Sequence, residues 1–285
     1  MPIKVLFHSH DKQKHCPDGF AAALAFYMQY GDSAEYIPVL HQEPPPALGS
    51  MDSVYIVDFS YPRETLERLK SQVHSLYVLD HHKTAEEALK GLDYCHFNMH
   101  KSGAMLAWEH VHQGIPAPAL FAYVQDRDLW QWKLGRSKAV CEGLDSIPKE
   151  FSAWAALARL DDKTFIDAMV EKGEPLLAIK QSRIEALFQL VCRMNIGYPH
   201  PDASIPVDGV FGTEADSDLT SELCNYIIEK TGVPMAAYAY ERLLPSQQTE
   251  YSWSLRSQRE VDVSAIAKSF GGGGHKNAAG FKFTI

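Results

Sequence analysis

The sequence has no uninterrupted apolar stretch near the roughly 20 residues needed to cross a bilayer, which removes a membrane-spanning role from the expected functions. The opening segment, Met1 to His10, lacks both the basic region and the long apolar core of a signal peptide, so the expected location is the cytoplasm. Its five cysteines, Cys16, Cys95, Cys141, Cys192 and Cys224, are odd in number, scattered and never in a C-x-x-C pair. That spacing supports neither a disulfide framework nor a zinc knuckle. Basic charge is also short, with 27 Lys and Arg against 36 Asp and Glu, a formal net charge of −9. Long DNA or RNA is gripped by a basic face that displaces counterions, so long nucleic acid is not an expected partner. A small phosphate ester remains compatible, because a metal and a few local cations govern such a site.

Gly and Pro are not in excess, and 46% of the 285 residues are hydrophobic, the composition of a folded globular protein. The length suggests more than one compact unit. Short apolar runs at Ile3–His8, Tyr36–Leu40, Val54–Val57 and Ser75–Leu79 read as strands. They alternate with helical stretches at Gly19–Tyr30, closed by Gly31, and Arg63–Lys70. Alternation of this kind predicts a mainly parallel sheet flanked by helices, with its active site at the carboxyl ends of the strands. Ser102–Gln113 and Ala119–Asp126 read as helices. Residues 151–195 form a long Leu- and Ala-rich helical stretch interrupted near Gly173–Pro175. Proline and glycine cluster at Gly197–Pro206, and further strands follow at Val207–Phe211, Met235–Glu241 and Tyr251–Arg256. The expected organisation is α/β: an N-terminal domain over 1–145, a helical connector over 146–200 and a smaller α/β domain over 201–285, with the active site in the cleft between the domains.

Asp80-His81-His82 directly follows the apolar run Leu76–Leu79, and Asp58 closes the neighbouring strand Val54–Val57. Hard carboxylate oxygens with imidazole nitrogens at rigid strand ends suit Mn²⁺ or a similar divalent ion. The loop from His8 to Asp18 follows the first strand, and Asp126 lies in Tyr123-Val124-Gln125-Asp126-Arg127-Asp128. Near the C-terminus, Gly271-Gly272-Gly273-Gly274-His275-Lys276-Asn277-Ala278-Ala279-Gly280 combines glycines, whose amides can approach a phosphate closely, with two cationic or hydrogen-bonding side chains.

These motifs together resemble the DHH phosphoesterase superfamily, named for the triplet that is Asp80-His81-His82 here, and the glycine-rich run resembles the signature of the DHH-associated C-terminal domain. The resemblance implies a pair of divalent ions, commonly manganese. Asp18, Asp58, Asp80, His81 and Asp126 are then metal ligands, with Asp58 bridging and His8 and His10 as further ligand candidates. Asp58, Asp80, His81 and His82 form the catalytic group, His82 meeting substrate phosphate or supporting the ligands. In the family's first motif a histidine precedes an aspartate and a second aspartate two positions later; set on Asp18, that pattern places Phe20 where the second carboxylate belongs. His8, His10, Asp11 or His15 can supply the missing ligand. Cys16, a soft donor among hard ones, is assigned to packing.

By the same resemblance Gly272, Gly273, Gly274, His275 and Lys276 bind the nucleotide, and Arg256 offers a guanidinium fork to a terminal phosphate. Trp130 and Trp132 either stack a base or pack. The expected activity is metal-dependent phosphodiester hydrolysis of linear dinucleotides such as pGpG, or very short oligonucleotides, to mononucleotides by a metal-activated water. The alternatives are a phosphatase acting on 3′-phosphoadenosine 5′-phosphate, a single-strand exonuclease, and a nucleotide sensor weakened at Phe20. A homodimer is plausible for such a chain.

Overall fold

The computed structural model describes residues 1–9, 15–40, 43–258 and 260–285. The chain divides into two compact units, Met1–Leu177 and Ala178–Ile285. The division falls inside residues 146–200, the stretch expected to form a connector. Phe151, Trp154, Phe165 and Met169 from that stretch pack into the core of the first unit, whereas Cys192–Asn195 is a strand of the second unit's sheet.

The first unit is built on β1 (Ile3–Ser9), β2 (Ala34–Leu40), β3 (Ser53–Val57), β4 (Ser75–Asp80) and β5 (Cys95–Phe97), in the order β2-β1-β3-β4-β5 with every pair parallel. Parallel sheets are covered on both faces, which is why their strands are nearly continuous apolar runs. The period-2 alternation of a strand divides those runs cleanly here. Val5, Phe7, Val57 and Leu79 enter one core cluster, and Leu6, Val54, Ile56, Leu76 and Val78 enter the other, with Leu66 and Leu69 from α2 (Arg63–Gln72).

The central helix α1 (Pro17–Tyr30) starts on a proline, whose fixed φ and missing N–H suit the first helical turn. Phe20 through Phe26 are almost wholly buried, with four alanines letting neighbouring elements come close. Gly31, at φ 53°, ends the helix. Further along, α3 (Lys83–Ala88), α4 (Gly103–Val111), α5 (Ala119–Asp128), α6 (Ser137–Asp145) and α7 (Phe151–Ala158) follow.

The interruption expected at Gly173–Pro175 lies instead at Arg159–Asp161. There α7 ends, and the Asp161 carboxylate accepts from Thr164 N at 3.0 Å, capping α8 (Asp162–Phe188). Helix α8 runs through Pro175. Gly173 acts as a packing residue: a Cβ there would overlap the Ala139 carbonyl of α6, as one at Gly143 would overlap the Met169 carbonyl of α8.

The second unit holds a six-stranded sheet in the order β10-β11-β9-β8-β7-β6, from β6 (Cys192–Asn195), β7 (Pro206–Phe211), β8 (Met235–Leu243), β9 (Thr249–Ser257), β10 (Gly273–His275) and β11 (Ala278–Thr284). Only the β7–β8 pair is parallel, joined through α9 (Thr220–Thr231); the others are antiparallel. One face packs on α10 (Val263–Ser269), the other on α9 with Ile184 of α8. Among the described residues, no helix is long and apolar enough to cross a membrane.

Candidate metal centre

In the parallel sheet, β1, β3 and β4 end along one edge, and the residues just beyond them form the site. Asp58 follows β3 in a left-handed conformation, φ 63°, which costs a non-glycine residue about 1–2 kcal/mol. Its amide nevertheless donates to Leu79 O at 3.0 Å, so the turn stays tied to β4, and its carboxylate is 2% exposed as a residue. Two contacts that only glycine permits bring helices onto this edge. A Cβ at Gly19 would overlap the His8 carbonyl, and one at Gly103 would lie 2.6 Å from Asp58 Cβ.

Asp18, in the first turn of α1, accepts from Gly103 N at 2.6 Å and Ala104 N at 3.0 Å. It thereby fastens the N-terminus of α4, whose helix dipole favours an anion. The His81 imidazole occupies the centre: its Nε2 lies 3.3 Å from Asp58 Oδ1, 3.5 Å from Asp128 Oδ2 and 3.8 Å from Asp18 Oδ2. On the other side of Asp58, Oδ2 lies 3.7 Å from His8 Nδ1 and accepts from Cys16 Sγ at 3.5 Å. The result is a run of donor groups, His8–Cys16–Asp58, Asp58–His81–His82 and Asp18–His81–Asp128, each with its donor atoms within 4.8 Å of one another. Asp58 and His81 are shared between groups.

Asp80 turns away from these groups. Its Oδ1 accepts from His81 N at 2.7 Å, from His82 N at 3.3 Å and from His82 Nδ1 at 2.6 Å, while Oδ2 accepts from Ser60 Oγ at 2.6 Å. A fully buried carboxylate so engaged shapes the loop that presents the two imidazoles and fixes the tautomer of His82. Expected as a metal ligand, Asp80 enters none of these three donor groups and instead holds the two imidazoles from behind.

Asp126 also differs from expectation. Its carboxylate accepts from Lys133 N at 2.9 Å and Leu134 N at 3.2 Å, clasping the turn after α5. Asp128, two residues on, reaches His81. Helical neighbours two apart point in nearly opposite directions, so only one of this pair can face the sheet edge. Phe20, the position expected to lack a carboxylate, stacks on Phe151 at 4.7 Å and meets Trp154 edge-on at 5.1 Å. His15 stacks on Phe20 and its Nδ1 pairs with Ser9 Oγ at 2.9 Å; it enters none of the donor groups. His10 and Asp11 lie outside the described residues. Trp130 and Trp132 meet edge-on at the surface, with Lys138 over Trp132.

Burial would raise Asp58, but the His8 and His81 imidazoles outweigh it and hold the carboxyl well below its ordinary range. His81 shows the opposite balance: burial opposes its charge, yet Asp58, Asp128 and Asp18 raise it to about 10. Burial, then Asp128 and Asp58, push Asp18 upward. Three crowded carboxylates thus share the His81 imidazole, with His8 adding to it at Asp58. Oxygen and nitrogen donors with excess negative charge at short range suit a divalent cation, which would take over charge compensation from the proton on His81. His82 is raised as well, its bond to Asp80 outweighing burial.

In the second unit, the glycine-rich run forms the turn after α10, β10, the turn into β11 and the start of β11, with Gly273 paired to Gly280 and His275 to Ala278. Gly272 lies where a Cβ would overlap Gly280 O, whereas one at Gly273 would meet nothing within 4 Å. Packing therefore leaves the Gly273 backbone open to close approach. Among the described residues, Lys276 pairs with exposed Glu260, at 3.6 Å, a screened contact that exchanges easily. Arg256 on β9 donates Nη2 to Ser221 Oγ at 2.7 Å and Nη1 to Leu255 O at 2.8 Å, so α9 holds its guanidinium in one orientation.

Residues 204–284 match the family model of the DHHA1 domain. Residues 204–284 are therefore a DHHA1 domain, and the Asp-His-His edge of the first unit agrees with the resemblance to the DHH superfamily. The chain is 27% identical over 299 residues to an uncharacterized protein of Acanthamoeba polyphaga mimivirus, covering 98% of this chain and 67% of that one. It is also 27% identical over 255 residues to the oligoribonuclease NrnB of Bacillus subtilis strain 168, covering 82% and 60%. The chain therefore spans 67% and 60% of the lengths of these curated relatives. Among solved structures, it is similar to an uncharacterized protein of Helicobacter pylori G27, with TM-score 0.43, 14% identity and 99% and 93% coverage. It is likewise similar to the pGpG-specific phosphodiesterase PggH of Vibrio cholerae, with TM-score 0.48, 14% identity and 99% and 94% coverage.

Proposed function

We propose that this chain is a metal-dependent phosphodiesterase of the DHH superfamily that hydrolyses linear dinucleotides of the pGpG kind, or very short oligonucleotides, to mononucleotides, with Mn²⁺ as its resident ion. The observation that carries the proposal is Asp58, a buried carboxylate shared between donor groups on either side of it at the edge of a parallel sheet. Asp58, with His8 on one side and His81, Asp18 and Asp128 on the other, would hold divalent ions there, and these would supply water activation near neutral pH and charge stabilisation at the phosphoryl group.

The chain's own residues do the rest. Asp18 and Asp128 flank His81 on one side of Asp58, and His8 lies on the other. Asp80 orients His82 and supports its charged form, making it a donor for a phosphoryl or leaving oxygen. In the DHHA1 unit, the Gly273 backbone, His275, Lys276 and Arg256 bind the nucleotide and its terminal phosphate. The acidic total charge disfavours long strands, and the oligoribonuclease name of the Bacillus subtilis relative agrees with a nucleotide substrate.

A substrate panel with purified protein and Mn²⁺, resolved by chromatography, tests the proposal: pGpG and other dinucleotides, oligonucleotides of increasing length, a long single strand and 3′-phosphoadenosine 5′-phosphate. Mononucleotides should appear fastest from dinucleotides, with rates falling as length grows. Preference for long strands, action on the monoester alone, or binding without turnover under every divalent ion would each overturn it.

A further inference from the structure

The two-residue spacing of the family's paired carboxylates falls in this structure on Cys16 and Asp18, the two side chains of this segment that reach the donor groups. Asp18 bonds the start of α4 and approaches His81. Cys16, the residue capping α1, directs its Sγ to Asp58 Oδ2 at 3.5 Å, within the same donor group as His8. Phe20, one helical turn beyond Cys16, is committed to the aromatic core with Phe7, Phe151 and Trp154. The missing carboxylate is therefore at Cys16, and a sulfur stands in its place.

We infer that Cys16 is a metal ligand, its thiolate completing with His8 and Asp58 the donor group on one side of the shared carboxylate. The inference rests on the proposal that these groups hold divalent ions, and it makes the two sides chemically unequal. Asp18, His81 and Asp128 offer oxygen and nitrogen. The Cys16 side adds a soft sulfur, which favours Co²⁺, Zn²⁺ or Cd²⁺ over Mn²⁺. Binding breaks the S–H bond and forms a sulfur–metal bond, the proton passing to solvent; no electron is transferred. The packing role expected for Cys16 is replaced by one in coordination.

The test is titration of metal-free full-length protein with Co²⁺, following the near-ultraviolet thiolate-to-cobalt charge-transfer band and the bound-metal stoichiometry. The variants are Cys16→Asp, which restores the carboxylate, and Cys16→Ser. Wild type should develop the band. Both variants should lose it, while Cys16→Asp still binds Co²⁺ and shifts the Cd²⁺-to-Mn²⁺ affinity ratio toward Mn²⁺. If wild type binds Co²⁺ without the band, or the band survives in both variants, Cys16 is not a ligand and the metal centre stands. If wild type binds neither Co²⁺ nor Mn²⁺, the metal centre itself fails, and this inference with it.

Discussion

Gly103→Ala tests whether the start of α4 and the turn at Asp58 are locked in contact. The new methyl would lie 2.6 Å from Asp58 Cβ, 2.8 Å from Asp58 Oδ1 and 3.0 Å from Asp18 Oδ2, where carbon atoms ordinarily approach no closer than about 3.5 Å. The helix cannot easily back away, because Asp18 holds the amides of residues 103 and 104. Asp58 is already in a left-handed conformation, which leaves its turn little room to rotate. Overpacking of this kind costs about 1–3 kcal/mol. The unfolded chain, less flexible with alanine, returns about 0.4–1 kcal/mol.

A net loss of about 1–2 kcal/mol corresponds to a Tm lower by about 2–8 °C for a unit of this size. The displaced Asp58 should also weaken Mn²⁺ binding by about 10–100-fold, as disturbed support of a metal site generally does. Thermal unfolding of the metal-free protein and Mn²⁺ titration read the two effects separately. Gly135→Ala is the control: its Cβ would meet nothing within 4 Å, and its stability should stay within about 0.5 kcal/mol of wild type. Wild-type Tm and Mn²⁺ affinity in Gly103→Ala would refute the close contact. A lowered Tm with unchanged affinity would keep the contact but remove Asp58 from the metal.

Phe20→Asp should not create a metal ligand; by placing a carboxylate among Phe7, Phe151 and Trp154 it should destabilise the protein by about 3–5 kcal/mol with no gain in Mn²⁺ affinity, checked by denaturant unfolding and titration. Asp126→Ala should cost about 1–3 kcal/mol through its two orphaned backbone donors while keeping Mn²⁺ affinity, whereas Asp128→Ala should lower that affinity by about tenfold or more; equal metal binding in the two would contradict the geometry. In the metal-free protein His81 is raised from 6.5 to about 10, so its contribution to stability is complete below pH 6.5 and is lost as pH rises toward 10. Tm of metal-free wild type should fall across that window and the fall should flatten in His81→Gln, while Mn²⁺ affinity of wild type rises over the same range because the ion competes with the proton.

What could be seen in advance depended on whether a residue's role is set by its neighbours in sequence or by elements far along the chain. The strands of the first unit were legible because a sheet covered on both faces demands contiguous apolar runs, and Asp58 and Asp80 were legible because each closes such a run. Roles beyond the strand ends were less so. Asp80 and His81 are adjacent, yet one carboxylate is turned inward by Ser60 and His82 and only the imidazole reaches Asp58. Asp126 and Asp128 are interchangeable by composition; the turn amides of Lys133 and Leu134 claim the first and leave the second for His81.

The first motif shows the same dependence most clearly. Read locally, Asp18 and Phe20 fit the two-residue spacing as well as Cys16 and Asp18 do, and a carboxylate pattern naturally anchors on its only carboxylate. The choice is made by Phe151 and Trp154, which supply an aromatic pocket that takes Phe20, and by the close approach at Gly19 and Gly103 that draws the start of α1 onto Asp58. With Phe20 held in the core and Gly19 drawing the start of α1 onto the sheet edge, the extended backbone of Cys16 just before the helix places its sulfur against the shared carboxylate, and the apparent loss of a ligand becomes a substitution of sulfur for oxygen.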